Sequence, residues 1–215
     1  TKIVNFIISE RSPKHDFMTI QKKQNPSIKN KKIAVLISGT GSNFKAIINA
    51  SNNGKISADI ALVISNNPNA LGINHAKDNN IPYYIINHKD FSSRSEFESE
   101  IDMILNSQEI DLICLAGFMR ILTAQFTRKY QGKIINIHPS LLPKFKGANA
   151  IKDAYNSKHK VTGCTVHYVI PEMDSGEIIL QKSVEIEAKD SLEDLKQKIH
   201  KIEHIAYIEA INKVL

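Results

Sequence analysis

From Lys32 onward, short apolar runs unbroken by polar residues take turns with stretches of helical periodicity, and that alternation limits the chain to few architectures. Ile33-Ala34-Val35-Leu36-Ile37 is apolar at every position. Further strands are predicted at about 59–64, 83–86, 111–115 and 134–137, with helices at about 43–52, 70–79, 94–107 and 123–130. A strand that offers no polar face must be covered on both sides, and the intervening helices supply both the cover and the crossover that parallel pairing needs. After residue 160 the pattern changes. The segments 161–170 and 177–187 are longer, alternate more clearly and flank the polar turn Pro171-Glu172-Met173-Asp174-Ser175-Gly176. That predicts an antiparallel pair added to the sheet. A last helix is expected from the capping box Ser191-Leu192-Glu193-Asp194, with Leu192, Leu195, Ile199, Ile202 and Ala206 as its buried stripe. The expected class is α/β, a mostly parallel sheet with helices on both faces and an antiparallel addition near the C-terminus.

A chain of 215 residues has room for one sizeable core, and no internal repeat divides it. Residues 1–31 read as a loosely ordered extension before a domain spanning 32–215. The apolar stretch Ile3-Val4-Asn5-Phe6-Ile7-Ile8 has flanks unlike a secretory signal, residues 19–32 are rich in Lys, Gln and Asn, and Met18 is an alternative start. No apolar run reaches the length of a membrane span. The net charge of +6 comes from scattered lysines without interleaved aromatics, which favours a local anion site over a nucleic-acid surface. Cys114 and Cys164 sit in apolar strand-like runs without metal-ligand spacing, so two buried thiols in a reducing cytosol are expected.

Chemistry concentrates in four segments. In Asn136-Ile137-His138-Pro139-Ser140-Leu141-Leu142-Pro143, Asn136 and His138 are two apart on a strand end and share a face. A carboxamide and an imidazole there can donate to a developing oxyanion and move a proton, and the prolines impose a stiff exit. A histidine that merely ends a strand before a proline-rich turn would read the same way. Ser38-Gly39-Thr40-Gly41-Ser42-Asn43 lies between the first strand and its helix, where freed backbone N–H groups and a helix N-terminus suit a phosphate. Position 44 is Phe, not a third glycine, and Ser65-Asn66-Asn67 replaces the acidic residue of a dinucleotide site, so a mononucleotide-like cradle is expected. A tight turn with no ligand is the plainer alternative. Ala116-Gly117-Phe118-Met119-Arg120-Ile121-Leu122 follows the fourth strand and offers an apolar slot for a flat heteroaromatic ligand, or ordinary core packing. Asp174 is an ordinary turn former unless the new hairpin carries it beside His138, where its carboxylate would orient the ring.

Together these segments, with Phe91-Ser92-Ser93-Arg94 and Glu203-His204-Ile205-Ala206-Tyr207, resemble the phosphoribosylglycinamide formyltransferases over about residues 32 to 212. The resemblance implies a Rossmann-like formyltransferase fold in a cytoplasmic enzyme of purine synthesis. Such an enzyme moves a formyl group from 10-formyltetrahydrofolate to the amine of glycinamide ribonucleotide by direct attack. It implies Asn136, His138 and Asp174 as the catalytic set; Gly41, Ser42, Asn43 and Glu203 for the ribonucleotide; and Arg94, Met119, Arg120, Ile121, Leu122 and Asn136 for the folate. It further implies no metal, small-molecule substrates rather than nucleic acid or membrane, a monomer or homodimer, and a cis Leu142-Pro143 peptide before a mobile loop. Two departures stand out. Lys146-Gly147-Ala148-Asn149-Ala150-Ile151 replaces a stretch that in relatives often has Pro at 146 and a histidine after the glycine, and the amino-terminal extension is unlike compact bacterial relatives. A formyltetrahydrofolate hydrolase shares the catalytic set but lacks the Ser-Gly-x-Gly-Ser-Asn loop. A tRNA formyltransferase needs a further domain beyond Leu215, and a catalytically silent nucleotide-binding module is the reading from outside enzymology.

Overall fold

The computed structural model describes residues 30–215. Its elements are β1 (Lys31–Ile37), α1 (Ser42–Asn52), β2 (Ala58–Ser65), α2 (Gly72–Asp78), β3 (Tyr83–Ile85), a 3₁₀ turn at His88–Asp90, α3 (Arg94–Ser107) and β4 (Leu112–Leu115). They continue through α4 (Ala124–Lys129), β5 (Ile134–His138), α5 (Ala150–Asn156), β6 (Val161–Tyr168), β7 (Ile178–Glu185) and α6 (Leu192–Val214). The strands form one sheet in the order β3-β2-β1-β4-β5-β6-β7.

The chain winds outward from β1 through β2 to β3, then returns to lay β4 on the other side of β1. All pairs from β3 to β5 are parallel. That reversal opens a crevice at the carboxyl ends of β1 and β4, where ligands of open α/β sheets bind. β5 pairs with β6 and β6 with β7 antiparallel, as the change of pattern after residue 160 predicts. The register sets Asn136 opposite His167 and His138 opposite Thr165. Directly opposed residues share a face, so four polar side chains gather on one side of the sheet.

Alternate residues of β1 feed two cores. Ile33, Val35 and Ile37 pack with Phe44 and Ile47 of α1, Ile73 of α2 and Tyr207 of α6. Ala34 and Leu36 pack with Phe97 and Ile101 of α3 and Phe126 of α4. The Tyr207 hydroxyl, fully buried, reaches the carbonyl oxygens of Leu115 at 3.0 Å and Ile135 at 3.2 Å, tying α6 across β4 and β5 beneath the crevice. Helix starts follow their capping residues: Ser93 accepts from the Glu96 N–H, Thr123 from that of Phe126, and Ser191 makes the reciprocal box with Asp194. β6 lies so close to β7 that a Cβ at Gly163 would overlap the Lys182 carbonyl oxygen.

Some boundaries differ from the sequence reading. The two late strands stop at Tyr168 and begin at Ile178, because 169–177 leaves the sheet to form the turn that carries Asp174. α5 was not expected: only Ala150 and Ala154 of its seven residues are buried, too faint a stripe to register as a period. β1 begins at Lys31, one residue before the expected domain start. The extension to residue 29, with its apolar stretch and Met18, lies outside the described residues. Leu142-Pro143 is cis, as the resemblance implies. No helix among the described residues is long and apolar enough to cross a membrane, and no group of three or more His, Cys, Asp or Glu among them could hold a metal ion.

Candidate active site

The exit of β5 is held by side chains rather than by sheet pairing. Thr165 Oγ1 donates to the Ser140 carbonyl at 2.7 Å and accepts from the Leu142 N–H at 3.0 Å. Gln181 Nε2 donates to the Leu142 carbonyl at 3.0 Å, and Ser140 Oγ to that of Lys144 at 2.6 Å. The loop is therefore fixed where it leaves His138. That ring is only 4% exposed, and its Nε2 donates to the Phe145 carbonyl at 2.8 Å.

The 171–176 turn brings Asp174 back over the strand ends. Its Oδ2 lies 3.5 Å from His138 Nδ1 and accepts from the Gly147 N–H at 2.8 Å, while Lys146 Nζ donates to Ser175 Oγ at 2.6 Å. Both nitrogens of His138 thus face acceptors, an arrangement in which each can act through an N–H. Asp174, distant in sequence, thus joins the strand neighbours Asn136 and His138 here.

His167 joins them, and the sequence reading missed it. Its Nδ1 donates to the Tyr168 carbonyl at 2.8 Å, leaving Nε2 to accept from Asn136 Nδ2 at 3.3 Å. Burial pushes the His167 pKa below the usual histidine range, against the pull of the Tyr168 carbonyl and of Asp174, whose Oδ1 lies 3.8 Å from Nε2. The neutral ring that results fits the acceptor role. One amide N–H of Asn136 is thereby engaged by His167 and its carboxamide is oriented, with the second N–H left for the cavity. Alternation along β6 puts Thr165 and His167 on one face, but only the β5–β6 register shows that His167 meets Asn136.

These side chains form one end of a cavity of ≈ 370 Å³, within the range of small-molecule sites. Asn136, His138, His167 and Asp174 line it, together with Met119, Arg120, Ile121 and Leu122. Phe118 and Leu122 are anchored in the core, whereas Met119 and Ile121 are 70% and 57% exposed. Large apolar side chains held at a cavity mouth mark a surface meant to be covered. The upstream end of that wall is fixed to β1: the Met119 N–H donates to Ser38 Oγ at 2.7 Å, and Ser38 Oγ donates to Asn66 Oδ1 at 2.5 Å. Arg94 stands apart, exposed on the first turn of α3 and outside the cavity lining.

The glycine loop closes the other side of the crevice. Gly41 has φ +74° and packs so closely on α2 that a Cβ would come within 2.7 Å of Gly72 Cα, so two requirements exclude any other residue. Immediately after it, α1 begins at Ser42. Asn43 Nδ2 donates at 3.2 Å to Glu203 Oε2 of α6, while Asn43 Oδ1 is buried with no hydrogen-bond partner among the described residues. Glu203 is 5% exposed, and burial pushes its pKa up to about 7, opposed by the Asn43 bond. Gly41, Ser42, Asn43 and Glu203 thus form one cluster. The thiols take no part: burial pushes Cys164 up to about 12 and Cys114 higher still.

The chain has known relatives in both sequence and structure. The formyl transferase family model matches residues 31–211. The phosphoribosylglycinamide formyltransferase of Coxiella burnetii is 42% identical, with 86% of each chain covered and a TM-score of 0.82. Glycinamide ribonucleotide transformylase 1 of Geobacillus kaustophilus is also 42% identical over 86% of this chain and 99% of its own, with a TM-score of 0.84. The trifunctional purine biosynthetic protein adenosine-3 of Gallus gallus is 48% identical over 85% of this chain. Its counterpart in Drosophila melanogaster is 42% identical over 97%. The chain spans only 18% and 16% of the length of those two relatives. By its fold and by these matches, the chain belongs to the formyl transferase family.

Proposed function

We propose that the chain transfers the formyl group of 10-formyltetrahydrofolate to the amine of 5'-phosphoribosylglycinamide, a step of purine synthesis. The observation that carries the reading is the convergence of Asn136, His138 and Asp174 on a largely apolar cavity that Met119 to Leu122 also line. The cavity is lined largely by apolar side chains, as a flat pteridine needs, and the glycine loop with Glu203 offers backbone N–H groups and a polar cluster to the ribonucleotide. The Arg94 contact to folate rests on the resemblance alone.

The amine attacks the formyl carbon, forming a C–N bond and placing negative charge on the formyl oxygen. Asn136, oriented by His167, donates its second N–H to that oxygen, and His138 donates through Nδ1, whose 3.5 Å separation from Asp174 leaves its N–H only loosely engaged; one such donor is typically worth about 100- to 1,000-fold in rate. The amine gives up a proton, for which Asp174 is the nearby carboxylate. The bond to the folate nitrogen then breaks as that nitrogen takes a proton, and His138 and Asp174 together can carry it; such positioned proton transfer contributes roughly 100- to 10,000-fold. Holding the two substrates end to end supplies the entropic share.

The reading includes a cytoplasmic setting, consistent with two free buried thiols, and a monomer or homodimer acting on small molecules. It also includes a formyltransferase domain from residue 32 preceded by an extension. The test is a formyl-transfer assay with both substrates and a control without acceptor. Product that depends on the ribonucleotide is expected; equal formate release without acceptor would make the protein a hydrolase, and no reaction would leave a silent binding module.

A further inference from the structure

We infer that Glu98 is a positioning residue for the formyl donor, acting through Thr123 to fix the apolar wall of the cavity. The inference rests on the donor site proposed above. Glu98 lies on α3, 4% exposed and outside the cavity lining. One carboxylate oxygen accepts from the Thr123 N–H at 2.7 Å and the other from the Thr123 hydroxyl in a very short contact. Thr123 Oγ1 in turn accepts from the Phe126 N–H at 3.2 Å, so one line of hydrogen bonds joins α3 to the first turn of α4.

A carboxylate withdrawn from water is costly to the fold unless its oxygens are hydrogen-bonded, and an apolar pair would hold α3 against α4 with no such cost. Directing both oxygens at a single residue does something an apolar pair cannot: it sets the position of Thr123 in two directions. Thr123 directly follows Ile121 and Leu122, and the other end of the same loop is held by the Ser38 bond to Met119. Between those two fixed points stand Met119 and Ile121, the exposed apolar side chains that face the cavity. Their backbone lies outside the sheet and the helices, so its place is set at the two ends, by Phe118 and the Ser38 bond upstream and by Leu122 and the Thr123 bonds downstream. Glu98 is the polar determinant of the downstream end.

Steady-state kinetics with both substrates varied test this on the wild type, Glu98→Ala, Glu98→Gln and Thr123→Val. Glu98→Ala is expected to raise the KM for 10-formyltetrahydrofolate about tenfold, the scale of one lost hydrogen bond to a charged group. The KM for the ribonucleotide and kcat should stay within about twofold. In Glu98→Gln, Oε1 can still accept from the Thr123 N–H while the amide donates to the Thr123 oxygen. Its KM is expected within about threefold of wild type, a rescue that a generic loss of packing would not predict. Should Glu98→Ala not fold, Thr123→Val gives the same reading, since it removes the hydroxyl at nearly constant volume: a selective rise in the folate KM supports the inference. A normal folate KM in a folded Glu98→Ala or Thr123→Val, or equal changes in both KM values, would overturn it. A wild-type protein that binds neither substrate would overturn the proposed function instead, so the two failures are distinct.

Discussion

Replacing Glu203 by Gln turns a buried proton equilibrium into a measurable change in stability. The carboxyl has an ordinary value of 4.5 and is pushed up to about 7 in the fold by burial, with the Asn43 bond opposing. Between those pH values the unfolded chain has released the proton while the folded chain keeps it. The folded state therefore binds more protons, and its stability falls as pH rises from about 4.5 to about 7, then levels off. At 1.36 kcal/mol per pH unit, the gap corresponds to roughly 3 kcal/mol. That is a large share of the 5–15 kcal/mol or so that holds a domain together. The Glu203→Gln side chain would keep the Asn43 contact through its amide oxygen and carry no titratable proton. Urea unfolding of both proteins across pH 4.5 to 8 isolates the effect, because every other titrating group cancels in the difference. The variant should gain on the wild type by roughly 3 kcal/mol over that range, nearly all of it below pH 7. A stability difference that stays constant with pH would mean that the Glu203 carboxyl titrates alike in the folded and unfolded chain. The cluster's proposed role in holding the ribonucleotide adds a counterpart: the more stable variant should show a higher KM for that substrate, stability gained where function tolerates strain.

Asp174→Ala should lower kcat by at least about 100-fold with the fold intact, measured by steady-state turnover alongside circular dichroism. Gly163→Ala should destabilise by more than about 3 kcal/mol in denaturant unfolding, since the added methyl would overlap the Lys182 carbonyl and force β6 from β7. Crystals grown in sulfate or phosphate should place the anion against the backbone of Gly41, Ser42 and Asn43; an anion bound elsewhere, with that loop bare, would remove the ribonucleotide assignment.

The fold could be read from the chain because its central strands are short runs with no polar face, separated by stretches of helical period. Ile33 to Ile37 can only be a strand covered on both sides, and the later alternation of 161–168 can only be a strand with two unlike faces. The limits were those of local pattern. α5 buries two alanines and so leaves no stripe. His167 lies in plain alternation, yet its meeting with Asn136 depends on a register set by the whole β5–β6 pair. Asp174 sits in a turn whose residues would form that turn with or without a partner, and only the return of the hairpin puts it 3.5 Å from His138. Glu98 looks like one more charged residue on a surface helix until Thr123 is seen to take both its oxygens. Short-range chemistry was legible wherever residues two apart on a strand share a face, as Asn136 and His138 do. Contacts between elements were legible only through the resemblance to a family.

If Asn136, His138 and Asp174 act together on the formyl carbon, as proposed, His138 is the residue whose loss shows it most directly. Single-turnover formyl transfer, with enzyme in excess over 10-formyltetrahydrofolate and saturating ribonucleotide, reads the chemical step without product release. The expected rate for His138→Ala is at least about 100-fold below wild type, with the dissociation constants of both substrates within a few-fold of wild type. A folded His138→Ala protein that transfers the formyl group at a near-normal single-turnover rate would contradict it.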